Sequence, residues 1–176
     1  MFKPFVDLIA SQYEAAFLTV QECIESCPDN AWDQPVCNHR FCQSAFHALF
    51  FADVYLGANP EAVEDQDFHR EHAETFAGYD QWEKEHTDKH YSKEFVAAYL
   101  QHCRDKAKTL LENVTEAELT APSGFFWIGG PAAEVHVYNI RHLQHHAAQL
   151  SLRLRLDSLA EISWQKGVWP KAADTV

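Results

Sequence analysis

The sequence predicts an all-α protein built as a four-helix bundle, with a long helical insertion between its second and third long helices. Three observations carry this. Apolar residues recur at three- and four-residue steps through four long segments, which is the helical period. No stretch alternates apolar and polar residues for long enough to read as a half-buried strand. One long charged connection, residues 58–91, joins the second long segment to the third, and bundles of this kind accommodate such a connection.

The first helix is expected over residues 4–27, with Phe5, Ile9, Tyr13, Ala16, Val20, Cys23 and Cys27 on one face and Pro28-Asp29-Asn30 ending it. Cys23 and Cys27 lie one turn apart, but thiols on an apolar stripe are usually small core residues. Residues 28–38 form a connection containing Trp32 and Pro35. The cluster Cys37, His39 and Cys42 (CNHRFC) lacks the second Cys/His pair that a structural zinc site requires.

The second helix is expected from Phe41 to Leu56, stopped by Gly57. Its segment AFHALFFADVYL is apolar on nearly every side, which marks a buried helix. His47 sits inside that run, and a buried imidazole needs a partner. The partner is either a carbonyl or carboxylate, or a metal shared with His142 and His146. Asp53 on the same helix either orients a histidine from behind or lies at the helix edge in water.

The charged insertion is too long for a bare loop. A short helix is expected near Glu61 to Phe76, ended by Gly78. His69, His72, His86 and His90 read as solvated among many carboxylates and lysines. Phe68, Phe76, Tyr79 and Trp82 either line a pocket lid or fasten the segment to the bundle.

The third long helix starts after the cap Ser92 and runs to Asn113, with Val96, Leu100, Cys103, Ala107, Leu110 and Val114 as its stripe. His102 lies off that stripe and reads as surface. Thr115 to Glu118 is a capping box, so a brief helical turn follows. In AELTAPSGFFWIGGP, Phe125, Phe126 and Trp127 either close one end of the bundle or line the entrance of a site.

The last long helix spans Pro131 to Leu154, with proline at its first position. It would be about 36 Å long. Ile140, Leu143, Ala147, Leu150 and Leu154 form its buried stripe. His146 projects roughly 60° from the centre of that stripe, His142 roughly 100° and His145 roughly 160°, towards water. His142 and His146 sit one above the other on successive turns, on the inner shoulder of the helix. Two such imidazoles make half of a metal site, suited to zinc, nickel, copper or iron. A terminal short helix is expected around Ser158 to Gln165.

Composition bounds the function. The 176 residues fit one domain, 1–176, and 47% are apolar, the share of an ordinary globular core. A formal charge of −12 argues against nucleic acid or an anionic membrane as partner. No run reaches the 18 or so apolar residues of a membrane span, and no export signal is evident. With five cysteines, an odd number, this points to reduced thiols in the cytoplasm.

Together these residues resemble the DinB-like, or YfiT-like, four-helix metalloproteins. The resemblance rests on His47 in AFHALFFADVYL, on His142 and His146 in RHLQHHAAQL, and on helix order and chain length, and it covers nearly the whole chain. It implies an up-down-down-up bundle with one divalent metal (zinc, nickel, iron or manganese) held at one end by His47, His142 and His146. Family members similar to this include thiol-dependent S-transferases, using bacillithiol or mycothiol as cosubstrate, and metal-dependent hydrolases. Homodimers are common among them, and no nucleic-acid binding is implied.

Three neutral imidazoles would leave at least one metal position open, as in catalytic rather than structural zinc. An open site polarises a carbonyl, acidifies water, or holds a reactive thiolate. No residue is assigned as general base. The rival expectation is a non-enzymatic bundle with a structural metal or none, whose histidines satisfy core hydrogen bonds.

Overall fold

The computed structural model describes residues 2–36, 38–78, 89–157 and 159–167. Its long elements are helices. The first, α1, runs Phe2–Ser26 and stops before Pro28, as the sequence requires. Cys23 and Cys27 are both buried on its inner face. Burial pushes the Cys23 thiol up to about 12 and that of Cys27 up to about 11, so both are inert core groups.

A short helix, α2 (Asp29–Trp32), follows. The Trp32 indole N–H donates to the Tyr91 carbonyl at 2.8 Å, which fastens this corner to the far end of the insertion. Two strands of two residues each, β1 (Pro35–Val36) and β2 (His39–Arg40), pair as an antiparallel hairpin. Cys37 falls outside the described residues.

The central helix is α3 (Phe41–Tyr55), on which every residue but His47 is buried. Ala45, Ala48 and Ala52, all fully buried, let neighbouring helices approach closely. It packs on α6 (Lys93–Asn113) and on α8 (Ala132–Leu156), and α1 packs on the same two helices. Tyr13, Phe17, Phe46, Leu49, Tyr99, Leu143 and Leu150 fill the space between them.

The insertion departs from the single helix expected over Glu61–Phe76. It forms a 3-10 turn (Pro60–Val63), then α4 (Asp67–Glu71) and α5 (Ala73–Phe76). The break at Gln66 has a cause outside the segment. Gln66 Nε2 donates to Asp53 Oδ1 at 3.1 Å, and one turn later His69 reaches Asp53 Oδ2 at 3.0 Å. A continuous helix would give up that anchoring. Gly78 follows the C-cap of α5 at φ +75°, as expected of a terminating glycine. Tyr79, Trp82 and His86 lie outside the described residues.

Ser92 caps α6 by accepting from the Phe95 N–H at 3.2 Å. Thr115 and Glu118 form the expected capping box at the head of α7 (Glu116–Thr120). In the approach to α8, Gly124 is required by contact: a Cβ there would lie 1.9 Å from the Ala58 carbonyl oxygen. Pro131 is the N-cap of α8 rather than its first helical residue.

The expected terminal helix over Ser158–Gln165 is not formed among the described residues of that stretch, 159–165. Its polar groups are taken by α1 instead. The Ser163 N–H and the Gln165 amide both donate to the Glu22 carboxylate, at 2.9 and 3.0 Å. No helix among the described residues is long and apolar enough to cross a membrane.

Candidate metal centre

His47 enters the site from α3, and His142 and His146 enter from the facing side of α8. One ring nitrogen from each lies within 4.8 Å of the other two. The ring centroids are 5.5 Å apart for His47–His142, 4.6 Å for His47–His146 and 4.5 Å for His142–His146. Nε2 of His142 and Nε2 of His146 are 3.1 Å apart. Two nitrogens bound at 2.0–2.1 Å to one tetrahedral ion stand about 3.4 Å apart, so this pair needs almost no movement to share one.

The surroundings of these rings separate a ligand from a core histidine. His136, elsewhere on α8, is a core histidine: its Nδ1 lies 3.2 Å from the Tyr13 hydroxyl and is satisfied. By contrast, Nδ1 of His142 is buried with no hydrogen-bond partner among the described residues. Its Nε2, which faces Nε2 of His146, is the nitrogen placed to bind an ion.

His146 is held by Gln149. Its Nδ1 is 3.0 Å from Gln149 Oε1, so Nδ1–H donates outward and the Nε2 lone pair faces the site. The Gln149 amide N–H donates in turn to His145 Nε2 at 3.0 Å, while His145 itself is exposed. Burial, with the charges of His146, His47 and His145 added, pushes His142 down to about 3. Burial outweighs the Gln149 bond to push His146 down to about 4. Both rings are thus neutral near pH 7, the form that binds metals.

The site opens into a cleft of about 430 Å³ lined by His47, Phe51, Tyr55, Phe126, Trp127, Tyr138 and His142. Phe126 is exposed, at 94%, and forms the rim. Of the two roles open to the FFW segment, Phe126 and Trp127 line the entrance, whereas Phe125 is buried against Tyr55. Burial, partly offset by Trp127 and reinforced by a hydrogen bond with Tyr138, pushes the Tyr55 hydroxyl up to about 12, so it keeps its proton in this wall. The larger cleft of about 790 Å³, between α1 and α6, contains none of the three imidazoles.

Other expectations are corrected. His69 is not solvated: its side chain is 6% exposed and its ring donates to Asp53. Asp53 lies wholly inside and orients a histidine, but that histidine is His69. Its carboxylate also accepts from the Tyr99 hydroxyl at 2.9 Å, from Gln66 and from Lys106. His102 is only partly exposed and lies 3.1 Å from Gln66 Oε1. Phe68 stacks on Tyr99 and Phe76 stacks on His69, so these aromatics fasten the insertion instead of lining the imidazole cleft. The sequence assigns Gln149 no role, although a carboxamide three residues after a histidine on one helix face is the signal for this contact.

A sequence model of the DinB superfamily matches residues 12–150, a span that holds all three imidazoles and most of the four long helices. No curated protein and no solved structure matches the chain. DinB superfamily members typically bind a divalent metal, and the donor set here, three converging imidazoles of which His142 and His146 are held neutral by burial, fits such an ion. Since that match spans well over half of its length, the chain belongs to the DinB superfamily.

Proposed function

We propose that His47, His142 and His146 hold one divalent metal and that the chain is a metal-dependent enzyme. Its first reaction class is thiol-dependent S-transfer, and hydrolysis is the second. The observation that carries this is the convergence of three imidazoles, two of which, His47 and His142, line an aromatic cleft. A divalent ion held there would supply Lewis acidity towards a thiol or a carbonyl.

The chain's own residues do the rest. Gln149 keeps the His146 lone pair aimed inward. Phe51, with Phe126, Trp127 and Tyr138 at the mouth, lines the cleft with rings that suit an apolar or aromatic electrophile. The Tyr55 hydroxyl, held protonated, donates a hydrogen bond to a developing anion. Among the described residues, the cleft lining contains no carboxylate to act as general base. That favours a nucleophile that ionises easily: a thiol at about pKa 8.5 needs far less help than water.

The reading includes the up-down-down-up order of the long helices, supported by α1 and α3 each packing on α6 and α8. It also includes a small-molecule thiol as cosubstrate, a homodimer, and a reducing cytoplasmic setting, which suits the free, buried Cys23, Cys27, Cys42 and Cys103.

The test is elemental mass spectrometry of the untagged protein beside His47→Ala, His142→Ala, His146→Ala and the control His145→Ala. Metal present in wild type and the control, and lost from the other three, supports the site. Small thiols are then screened against aromatic electrophiles by product mass. A wild type that stays metal-free after incubation with zinc, nickel, manganese and iron removes the reading. Metal that binds while no thiol alters its spectrum leaves the structural role.

A further inference from the structure

Three segments meet at the corner where α2 ends, α3 begins and the chain enters α6. Asp33 follows α2, Cys42 lies in the first turn of α3, and His90 precedes α6. None of them belongs to the three-imidazole centre. Asp33 Oδ1 accepts from His90 Nδ1–H at 2.8 Å and from the Cys42 thiol at 3.5 Å. One ligand atom from each lies within 4.8 Å of the other two. The Cys42 side chain is fully buried, whereas those of Asp33 and His90 are 48% and 50% exposed. The cluster therefore has a buried sulfur floor and one face open to solvent. Burial, with the Asp33 carboxylate beside it, pushes the Cys42 thiol up against the backbone N–H groups of Tyr91 and Gln43, so without a cation the sulfur keeps its proton.

We propose that Asp33, Cys42 and His90 form a second metal site, for zinc, with a water completing the tetrahedron. Bond lengths of about 2.3 Å to sulfur and about 2.0–2.2 Å to nitrogen and oxygen place ligand atoms about 3.4–3.6 Å apart. The sulfur–oxygen separation already has that value. The nitrogen–oxygen separation must open by about half an ångström, which the half-exposed His90 ring permits. As the zinc–sulfur bond forms, the thiol proton leaves to solvent, and the His90 ring carries its proton on the outer nitrogen. One thiolate and one carboxylate then balance the dipositive ion. Arg40, 3.9 Å from Asp33 Oδ1, remains as an outer partner of the carboxylate. The thiolate selects zinc over magnesium, calcium or manganese. The ion ties the segment entering α6 to the corner before α3. The CNHRFC motif thus contributes its second cysteine, but to ligands that its own spacing could not supply.

The experiment is a cobalt(II) titration of the reduced wild-type protein, read in the near ultraviolet, followed by displacement with zinc. Bound cobalt at this site gives a thiolate-to-metal charge-transfer band, which an all-imidazole centre does not produce. The expected result is a band that saturates by two equivalents in wild type and by one in His142→Ala, disappears on zinc addition, and is absent in Cys42→Ser. Half-exposed His90→Gln and Asp33→Asn should each weaken cobalt binding at this band at least about tenfold. The band should persist in His142→Ala, which separates this site from the imidazole centre. Absence of the band in wild type, or its survival in Cys42→Ser, overturns the proposal. If Cys42→Ser does not fold, unchanged titrations of both His90→Gln and Asp33→Asn overturn it.

Discussion

Gln149 and His136 mark two fates of a polar group on the same helix. Gln149 touches no cleft wall, yet it sets which nitrogen of His146 faces inward. Gln149→Ala should leave the fold intact and weaken metal affinity about 10–100-fold, measured by competition with a chelator; undiminished affinity would mean that His146 is oriented by packing alone. His136 is buried and neutral, its pKa pushed down by burial to about 4. The unfolded chain titrates it at about 6.5, so between those values the unfolded state binds the extra proton. Stability is thus full above about pH 7 and falls as pH drops from about 6.5 towards 4. In His136→Gln, the loss of Tm between about pH 7.5 and pH 5 should be smaller than in wild type. Equal losses would exclude His136 as a contributor.

Among the elements, α3 is the hub because its two sides carry different chemistry. One side presents His47 to α8. The other presents Asp53 to the insertion and to α6, where His69, Gln66, Tyr99 and Lys106 all donate to it. Burial alone would raise the Asp53 carboxyl; the His102 and His69 imidazoles and the Lys106 ammonium outweigh it and hold the group well below the usual carboxylate range. Asp53→Ala strands a lysine and a histidine inside and should cost about 3–5 kcal/mol, read by urea denaturation. Because the insertion hangs on this carboxylate, limited proteolysis of the variant should cut first between residues 60 and 76. Cleavage elsewhere first would separate Asp53 from the insertion. The same contacts explain why the insertion is not the single helix its sequence predicts. Its local pattern is helical, but Gln66 and His69 answer to a residue on another helix, and tertiary hydrogen bonds override propensity.

At the scale of the whole molecule, two features respond to added ions and subunits. Free zinc at about 100 times its Kd for one site stabilises the folded chain by about 2.7 kcal/mol, an increase of about 5–10 °C in Tm for a chain of this size. An unchanged Tm at saturating zinc would mean that the folded state does not bind it. Sedimentation of the metal-loaded protein should give twice the chain mass if the proposed homodimer forms, and the chain mass if it does not.

By itself the sequence determined the four long helices, their buried faces, the caps at Ser92 and Thr115, and the histidine pair one turn apart on α8. Each follows from spacings within one segment, where the helical period alone relates the residues. His47 was legible as a polar residue inside an apolar run, and its joining of the pair was legible through family resemblance. Only the tertiary structure decided the rest. It made His136 a satisfied core residue and left His142 unsatisfied. It drew His69 inside to Asp53 and brought Asp33, Cys42 and His90 to one corner. It also gave the Glu22 carboxylate to Ser163 and Gln165, in a stretch that forms no helix. The reason is common to all of these: the partners come from different elements, and no period along the chain encodes which side chains two packed helices bring face to face.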